Sequence, residues 1–102
     1  LTQLEQLFLY GNKLTDVKGL EKLTQLTSLG LGNHLTNVKG LENLTQLTSL
    51  DLDSNQLTDV KGLEKLTQLE KLFLESNPAL TKAQIAELQK ALPECLIYSD
   101  FD

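Results

Sequence analysis

Tryptophan, methionine and arginine are absent from this 102-residue chain, cysteine occurs once, and only five residues are aromatic. Each gap removes a class of explanation. Without arginine, and with a net charge of −5, the chain lacks the basic stripe that displaces counterions from a phosphate backbone, which argues against a nucleic-acid partner. Cys95 alone forms neither an internal disulfide nor a cysteine-based zinc site. No apolar run approaches the ~20 residues of a membrane-spanning helix, so membrane insertion is not expected. Length fits one domain. A normal core mixes side-chain shapes, but here leucine alone occupies 26 positions, about a quarter of the chain. A core of one shape suits a structure that stacks the same layer repeatedly.

What is present is a repeat. Leu14–Leu26 reads LTDVKGLEKLTQL and returns as LTNVKGLENLTQL at Leu35–Leu47 and as LTDVKGLEKLTQL at Leu57–Leu69. The spacings, 21 and 22 residues, are those of a solenoid. In the first unit, Leu1–Lys22, the run Leu7-Phe8-Leu9 sends its leucines one way and the intervening ring the other, as a strand does. Val17, Leu20 and Leu23 then recur every third residue, the spacing of a 3₁₀-like turn, with Gly19 relaxing the backbone between them. The second unit, Leu23–Asn43, is one residue short around Gly32-Asn33-His34. The third, Leu44–Lys65, restores the length, and the fourth opens identically at Leu66. After Asn77 the pattern changes. Thr81-Lys82-Ala83-Gln84 is a capping-box sequence, Ile85, Leu88 and Leu92 follow at helical spacing, and Pro93 ends the run. A helix is therefore expected over about Lys82–Leu92, with a short strand at Leu96–Tyr98. The domain reading is repeats over 1–80 and a cap over 81–102, which covers the last open layer.

The pattern LxxLxLxxNxL with V-K-G-L-x-x-L on the return resembles the leucine-rich repeat family, in the class of the bacterial internalins and the leucine-rich regulatory subunit of protein phosphatase 1. The closing NPALTKAQIAELQKALPEC is similar to terminal segments of bacterial members. The resemblance implies an α/β, right-handed curved solenoid: a parallel sheet on the concave side, 3₁₀ or short-helix returns on the convex side, and a C-terminal cap helix. It also implies that Asn12, Asn33, Asn55 and Asn77 stack as a ladder bonding the backbone of adjacent turns. The chain begins inside the pattern, which reads as a fragment whose cytoplasmic or exported origin stays open. Leu1, Leu4, Leu7, Val17 and Leu20 are then expected to lie uncovered at the first turn, a surface suited to self-association.

The repeats can be compared with one another. Return segments are nearly identical and balance five acids (Asp16, Glu21, Glu42, Asp59, Glu64) against five lysines (Lys18, Lys22, Lys39, Lys61, Lys65). The strand face varies. Its three outward columns read Gln6, Ser28, Ser49, Lys71; then Phe8, Gly30, Asp51, Phe73; then Tyr10, Gly32, Asp53, Glu75. The strand turns are acidic, with Glu5, Asp51, Asp53, Glu70 and Glu75 against Lys13 and Lys71. Folding does not require the rings of Phe8, Tyr10 and Phe73 to face solvent. Aromatic side chains anchor interfaces, and carboxylates nearby steer basic partners. The expected partner-binding residues are therefore Gln6, Phe8, Tyr10, Ser28, Asp51, Asp53, Lys71, Phe73 and Glu75. The expected partner is a protein with a basic patch.

Weaker signals are each better read structurally. Gly30-Leu31-Gly32 opens like a phosphate loop, but Leu35 stands where a third glycine belongs and no long helix follows. Asp51, Asp53 and Glu75 could attract a cation weakly, yet a solvated acidic patch is the simpler reading. His34 has no second histidine or cysteine for a transition metal, so no metal and no cofactor are expected. Cys95 has no placed histidine or acid to activate it and reads as a buried cap thiol. Asn43-Leu44-Thr45 is a glycosylation sequon at a position occupied by Lys22 and Lys65 in other copies, which points to drift. No convergent acid, base and nucleophile set appears, so an enzyme is not expected. The competing reading of the whole is a set of structural repeats that cap a longer solenoid without a binding site. A designed consensus array is disfavoured by the shortened second unit.

Overall fold

Leu7, Leu29, Leu50 and Leu72 are the middle residues of four three-residue strands, each pointing inward between two outward neighbours. The computed structural model describes residues 4–101 apart from Asn12, Leu14 and Asn33. Strands β1 (Gln6–Phe8), β2 (Ser28–Gly30), β3 (Ser49–Asp51), β4 (Lys71–Phe73) and β5 (Leu96–Tyr98) form one parallel sheet in chain order. The inward column is continuous: Leu7 pairs Leu29, Leu29 pairs Leu50, Leu50 pairs Leu72, and Leu72 pairs Ile97. Parallel neighbours require a crossover, and the return segment of each turn supplies it with the right-handed sense such links take. The thin dimension of 16 Å accommodates one sheet and one layer of returns, so the leucines between them form the whole core.

The returns hold themselves together. Leu20 N–H donates to the Val17 carbonyl, Leu23 to Leu20 and Leu26 to Leu23, a chain of 3₁₀-type bonds that fits the every-third-residue spacing. In the next two turns the same bonding gives short 3₁₀ helices at Leu41–Asn43 and Leu63–Lys65. Each starts on a left-handed glycine, Gly40 at φ 102° and Gly62 at φ 105°, a conformation that costs other residues. The acids of these segments, and the Asn37 that stands in for one of them, bond local backbone rather than merely balancing charge. Asp16, Asn37 and Asp59 accept from the N–H groups of Lys18, Lys39 and Lys61 at 2.9, 3.0 and 3.1 Å. Glu21, Glu42 and Glu64 accept from Gly19, Gly40 and Gly62 at 2.8, 2.5 and 2.8 Å. Backbone N–H bonds at Glu64 and Gly62 hold the Glu64 carboxyl below the usual carboxylate range. Near-identity of the returns thus has a local cause: Asx-type turns and a glutamate brace recur in every copy.

Between sheet and returns, Leu44, Leu47, Leu50, Leu52, Leu57 and Leu63 of the third turn are fully buried, and Val60 nearly so. Asn55 and Asn77 are the buried polar residues of the described chain. Asn55 Oδ1 accepts from Leu35 N–H at 3.1 Å, while its Nδ2 donates to the Leu31 and Leu52 carbonyls at 2.5 and 2.9 Å. Asn77 repeats the arrangement one turn on, accepting from Leu57 N–H at 3.3 Å and donating to the Leu52 and Leu74 carbonyls at 2.9 and 3.1 Å. These amides bond groups of adjacent turns, as a ladder must; Asn12 and Asn33 lie outside the described residues.

At the far end, α1 (Lys82–Ala91) begins with the full capping box. Thr81 Oγ1 accepts from Gln84 N–H at 3.2 Å and Gln84 Oε1 from Thr81 N–H at 2.8 Å. Gln84 Nε2 also donates to the Thr58 carbonyl at 3.0 Å, tying the helix to the last return. Leu92 leaves helical geometry (φ −124°), so α1 ends one residue before the expected Leu92. Leu88, Leu92 and Cys95 are buried beneath this segment, and burial pushes the Cys95 thiol up. At the near end, Leu4, Leu7 and Leu20 are only partly buried, but Val17 is 2 % exposed. The expectation of an uncovered Val17 is therefore wrong. Its methyl lies close against Gly40 of the following return, which covers it. Leu1 lies outside the described residues.

Because each layer is covered by its neighbours, the cost of truncating a leucine should follow its place in the stack. Leu50→Ala is expected to destabilise by about 2–5 kcal/mol, and Leu4→Ala by clearly less. Urea unfolding followed by circular dichroism measures both, and equal losses would contradict a stack whose first turn is half covered.

Candidate functional site

The strand geometry places side chains of residues 6, 8 and 10 and their counterparts on one face of the sheet. Register aligns Gln6, Ser28, Ser49, Lys71 and Leu96 in one row, and Phe8, Gly30, Asp51, Phe73 and Tyr98 in the next. A third row, just past the strands, carries Tyr10, Gly32, Asp53, Glu75 and Asp100. Bonds from Gly11 N–H to the Gly32 carbonyl and from Ser54 N–H to the Glu75 carbonyl keep the turns in step there. All nine residues singled out from the sequence lie on this face. They do not form one cluster. Phe8, Tyr10, Asp51 and Asp53 come together on one side, and Phe73 and Lys71 stand on the other. Phe8 and Phe73 are separated by three strand spacings, about 14 Å.

The aromatic rings are not isolated. Phe8 and Tyr10 stack with centroids 6.0 Å apart and planes 15° from parallel. Phe73 stacks on Tyr98 at 4.9 Å and 8°. Phe8 and Tyr10 are about half exposed (54 % and 50 %), as expected from the sequence, but Phe73 is half-buried because Tyr98 covers it. Tyr98 is the residue that sequence reasoning missed. Its signal was available: a fifth strand at Leu96–Tyr98 carries the row of Phe8 and Phe73 one step further, to Tyr98. Asp100 extends the third row in the same way, accepting from Ser76 N–H at 3.1 and 3.0 Å through its two oxygens.

The carboxylates are turned toward internal donors. Asp51 Oδ1 accepts from Asp53 N–H at 3.0 Å, and its Oδ2 accepts from the Tyr10 hydroxyl at 2.9 Å. Asp53 Oδ1 accepts from Glu75 N–H at 2.6 Å. Partial burial pushes the Asp53 carboxyl above the usual carboxylate range, reinforced by Asp51, Glu75 and Asp100 and opposed by the Glu75 N–H. Among the described residues no group of three or more His, Cys, Asp or Glu is arranged to hold a metal ion, and no helix is long and apolar enough to cross a membrane. His34 is exposed, and Asn43 of the sequon is exposed at the end of its 3₁₀ helix.

Gly30 and Gly32, which open like a phosphate loop in the sequence, have a different use. The Tyr10 ring lies over both. An added Cβ at Gly30 would fall 2.8 Å from Phe8 Cδ1 and closer still to the Tyr10 ring, and one at Gly32 would fall 2.9 Å from Tyr10 Cδ1. Gly30 is consequently buried although it belongs to the open face.

Tyr10 is pushed up to about 12, first by burial and then by the bond to Asp51 and the charges of Asp51 and Asp53. A folded-state value above the ordinary phenol value of about 10 means that the fold favours the neutral phenol, so the stability linked to this proton is fully present below that pH. The contribution is lost as pH rises through about 12. Asp51→Asn should lower the Tyr10 value part of the way, since burial remains. Tyrosinate absorbance in a Tyr98→Phe background reads this directly, and an unchanged midpoint would show that Asp51 does not hold the hydroxyl.

The sequence profile of the family described as Leucine Rich repeats (2 copies) matches residues 2–43 and 45–90. A search of curated proteins finds no match. Among solved structures, an internalin from Listeria monocytogenes superposes with a TM-score of 0.87 at 34 % identity, over 97 % of this chain and 29 % of that one. A leucine-rich repeat protein from Leptospira interrogans gives 0.83 at 37 %, over 92 % and 25 %. Internalin C2 from Listeria monocytogenes gives 0.81 at 28 %, over 96 % and 42 %. The chain thus spans less than half the length of each of these structures. With the family profile matched along most of its length and this parallel sheet of stacked turns, the chain belongs to the leucine-rich repeat family.

Proposed function

We propose that this protein is a protein-binding module that docks its partner on the concave face. Leucine-rich repeat proteins are typically interaction modules, and the finer assignment rests on what this face carries. Two stacked aromatic pairs, Phe8–Tyr10 and Phe73–Tyr98, flank a row of carboxylates on a surface whose residues the fold does not dictate. The Phe73 ring, already held against Tyr98, loses little conformational freedom on binding, which favours it as an anchor. Asp51, Asp53, Glu75 and Asp100 supply a negative field between and beside them, so the partner is expected to present Lys or Arg. Gln6, Ser28 and Lys71 supply polar contacts at the margin. In this reading residues 1–80 are the recognition solenoid and 81–102 its cap.

The test is capture of partner proteins on the immobilised chain, identified by mass spectrometry. Partners retained by the wild type should be enriched in basic surface. They should be released by added salt and lost with the combined Phe8→Ser and Phe73→Ser variant, whose melting stays near that of the wild type. Capture that survives these substitutions would replace this reading with that of capping repeats in a longer solenoid.

A second contact is favoured by the first turn, where Leu4, Leu7, Leu9, Leu20 and Leu23 are packed on the core but only partly buried. Two copies meeting there would cover them. Size-exclusion chromatography with light scattering across a concentration series should show a mass rising toward the dimer, reversed by Leu4→Lys; a monomer mass throughout would remove this contact.

A further inference from the structure

The concave face has one interruption. In the row pairs that end in Tyr10, Asp53 and Glu75, every turn but the second presents two consecutive side chains, whereas the second presents Gly30 and Gly32. Neither glycine has a positive φ; the glycines that do are Gly11, Gly19, Gly40 and Gly62. The backbone therefore does not demand glycine at either position, and what the missing side chains provide is room for close approach. The result is a trough across the sheet, floored by backbone, with Phe8 at one edge and Asp51 and Asp53 at the other.

The trough is filled by the chain's own Tyr10. The phenol lies against the glycine floor, beside the Phe8 ring at 6.0 Å, and donates its hydroxyl to Asp51 Oδ2 at 2.9 Å. This occupant displays the chemistry the trough accepts: a flat apolar ring with a hydrogen-bond donor at its far end. Tyr10 follows β1 at the sheet margin, is half exposed, and is held there by one side-chain hydrogen bond and ring contacts. A side chain so placed can rotate out without disturbing the leucine core.

We infer that the Gly30–Gly32 trough is a recognition notch for a tyrosine side chain of a partner protein, with Tyr10 its resident occupant and gate. A partner tyrosine entering the notch replaces the ring-on-glycine contact and the hydrogen bond to Asp51, while Tyr10 swings aside and extends the Phe8 surface. The surrounding carboxylates favour a tyrosine flanked by basic residues. This deepens the concave-face reading by naming the partner group, but its test does not depend on any natural partner.

The probes are p-cresol, toluene and the peptide acetyl-Lys-Tyr-Lys-amide, titrated into isotope-labelled protein while the Gly30 and Gly32 amide signals are followed by NMR. In Tyr10→Ala the notch is empty, so p-cresol should give saturable shifts at both glycines, with roughly threefold to tenfold tighter binding than toluene from the hydroxyl bond. The peptide should bind more tightly than p-cresol. Adding Gly30→Ala to Tyr10→Ala should abolish binding by filling the floor. Absence of saturable shifts in folded Tyr10→Ala, or shifts indifferent to Gly30→Ala, overturns the notch. Binding of p-cresol without the peptide overturns the assignment to a protein tyrosine. Gly30→Ala in the otherwise unaltered chain gives an independent check: it should expel the ring and return the Tyr10 phenol toward its ordinary value, and a phenol still near 12 would also overturn the notch. Partner capture that survives loss of the concave-face rings, with p-cresol binding to Tyr10→Ala intact, would sink the docking reading alone.

Discussion

No turn of this protein can bury its own leucines; each depends on the turn beside it. That dependence fixes almost everything else. Once Leu29, Leu50 and Leu72 must lie in one column, the strands that carry them must be parallel and in register, and every crossover must return the chain to that register. Backbone groups between turns then need partners inside a layer of aliphatic side chains. Asn55 and Asn77 meet that need with amides that donate and accept across turns. A buried polar group is tolerated there because it is fully engaged.

The same constraint divides the surface in two. On the convex side the chain must turn back within a fixed length, and the sequence repeats because the turn chemistry repeats: Asp or Asn two residues before a bonded N–H, glycine in the left-handed region, then a glutamate accepting from it. On the concave side nothing in the stack specifies the outward side chains, so they are free to differ. Individual character therefore collects on one wall, with the aromatic pairs at its two ends and the acidic residues between. The shortened second unit leaves the strand pairing intact, since Ser28 pairs with Ser49 as cleanly as Ser49 pairs with Lys71.

The electrostatics of that wall are set by short-range bonding as much as by net charge. Asp51 faces two donors, one from backbone and one from a phenol, and Asp53 accepts across turns from Glu75. A partner approaching this surface meets carboxylates already oriented by the fold, which lowers the ordering cost of recognition.

The repeat architecture was legible from residue order alone, because leucine spacing, asparagine placement and the Val-Lys-Gly-Leu return are local patterns that recur in register. The capping box at Thr81 and Gln84 was legible for the same reason. So was the membership of Phe8, Tyr10, Asp51, Asp53, Phe73 and Glu75 in one face, which follows from period-two alternation. What only the tertiary structure decided were the relations between turns. Tyr98 covers Phe73 because β5 pairs with β4 across 25 residues rather than one repeat length, from Lys71 to Leu96. Val17 is buried because the next return closes over it. Tyr10 reaches past Gly30 and Gly32 to Asp51, two strands away, and no single-turn pattern encodes that. Alternation tells which way a side chain points; which neighbour it meets depends on how far the stack carries one turn over the next.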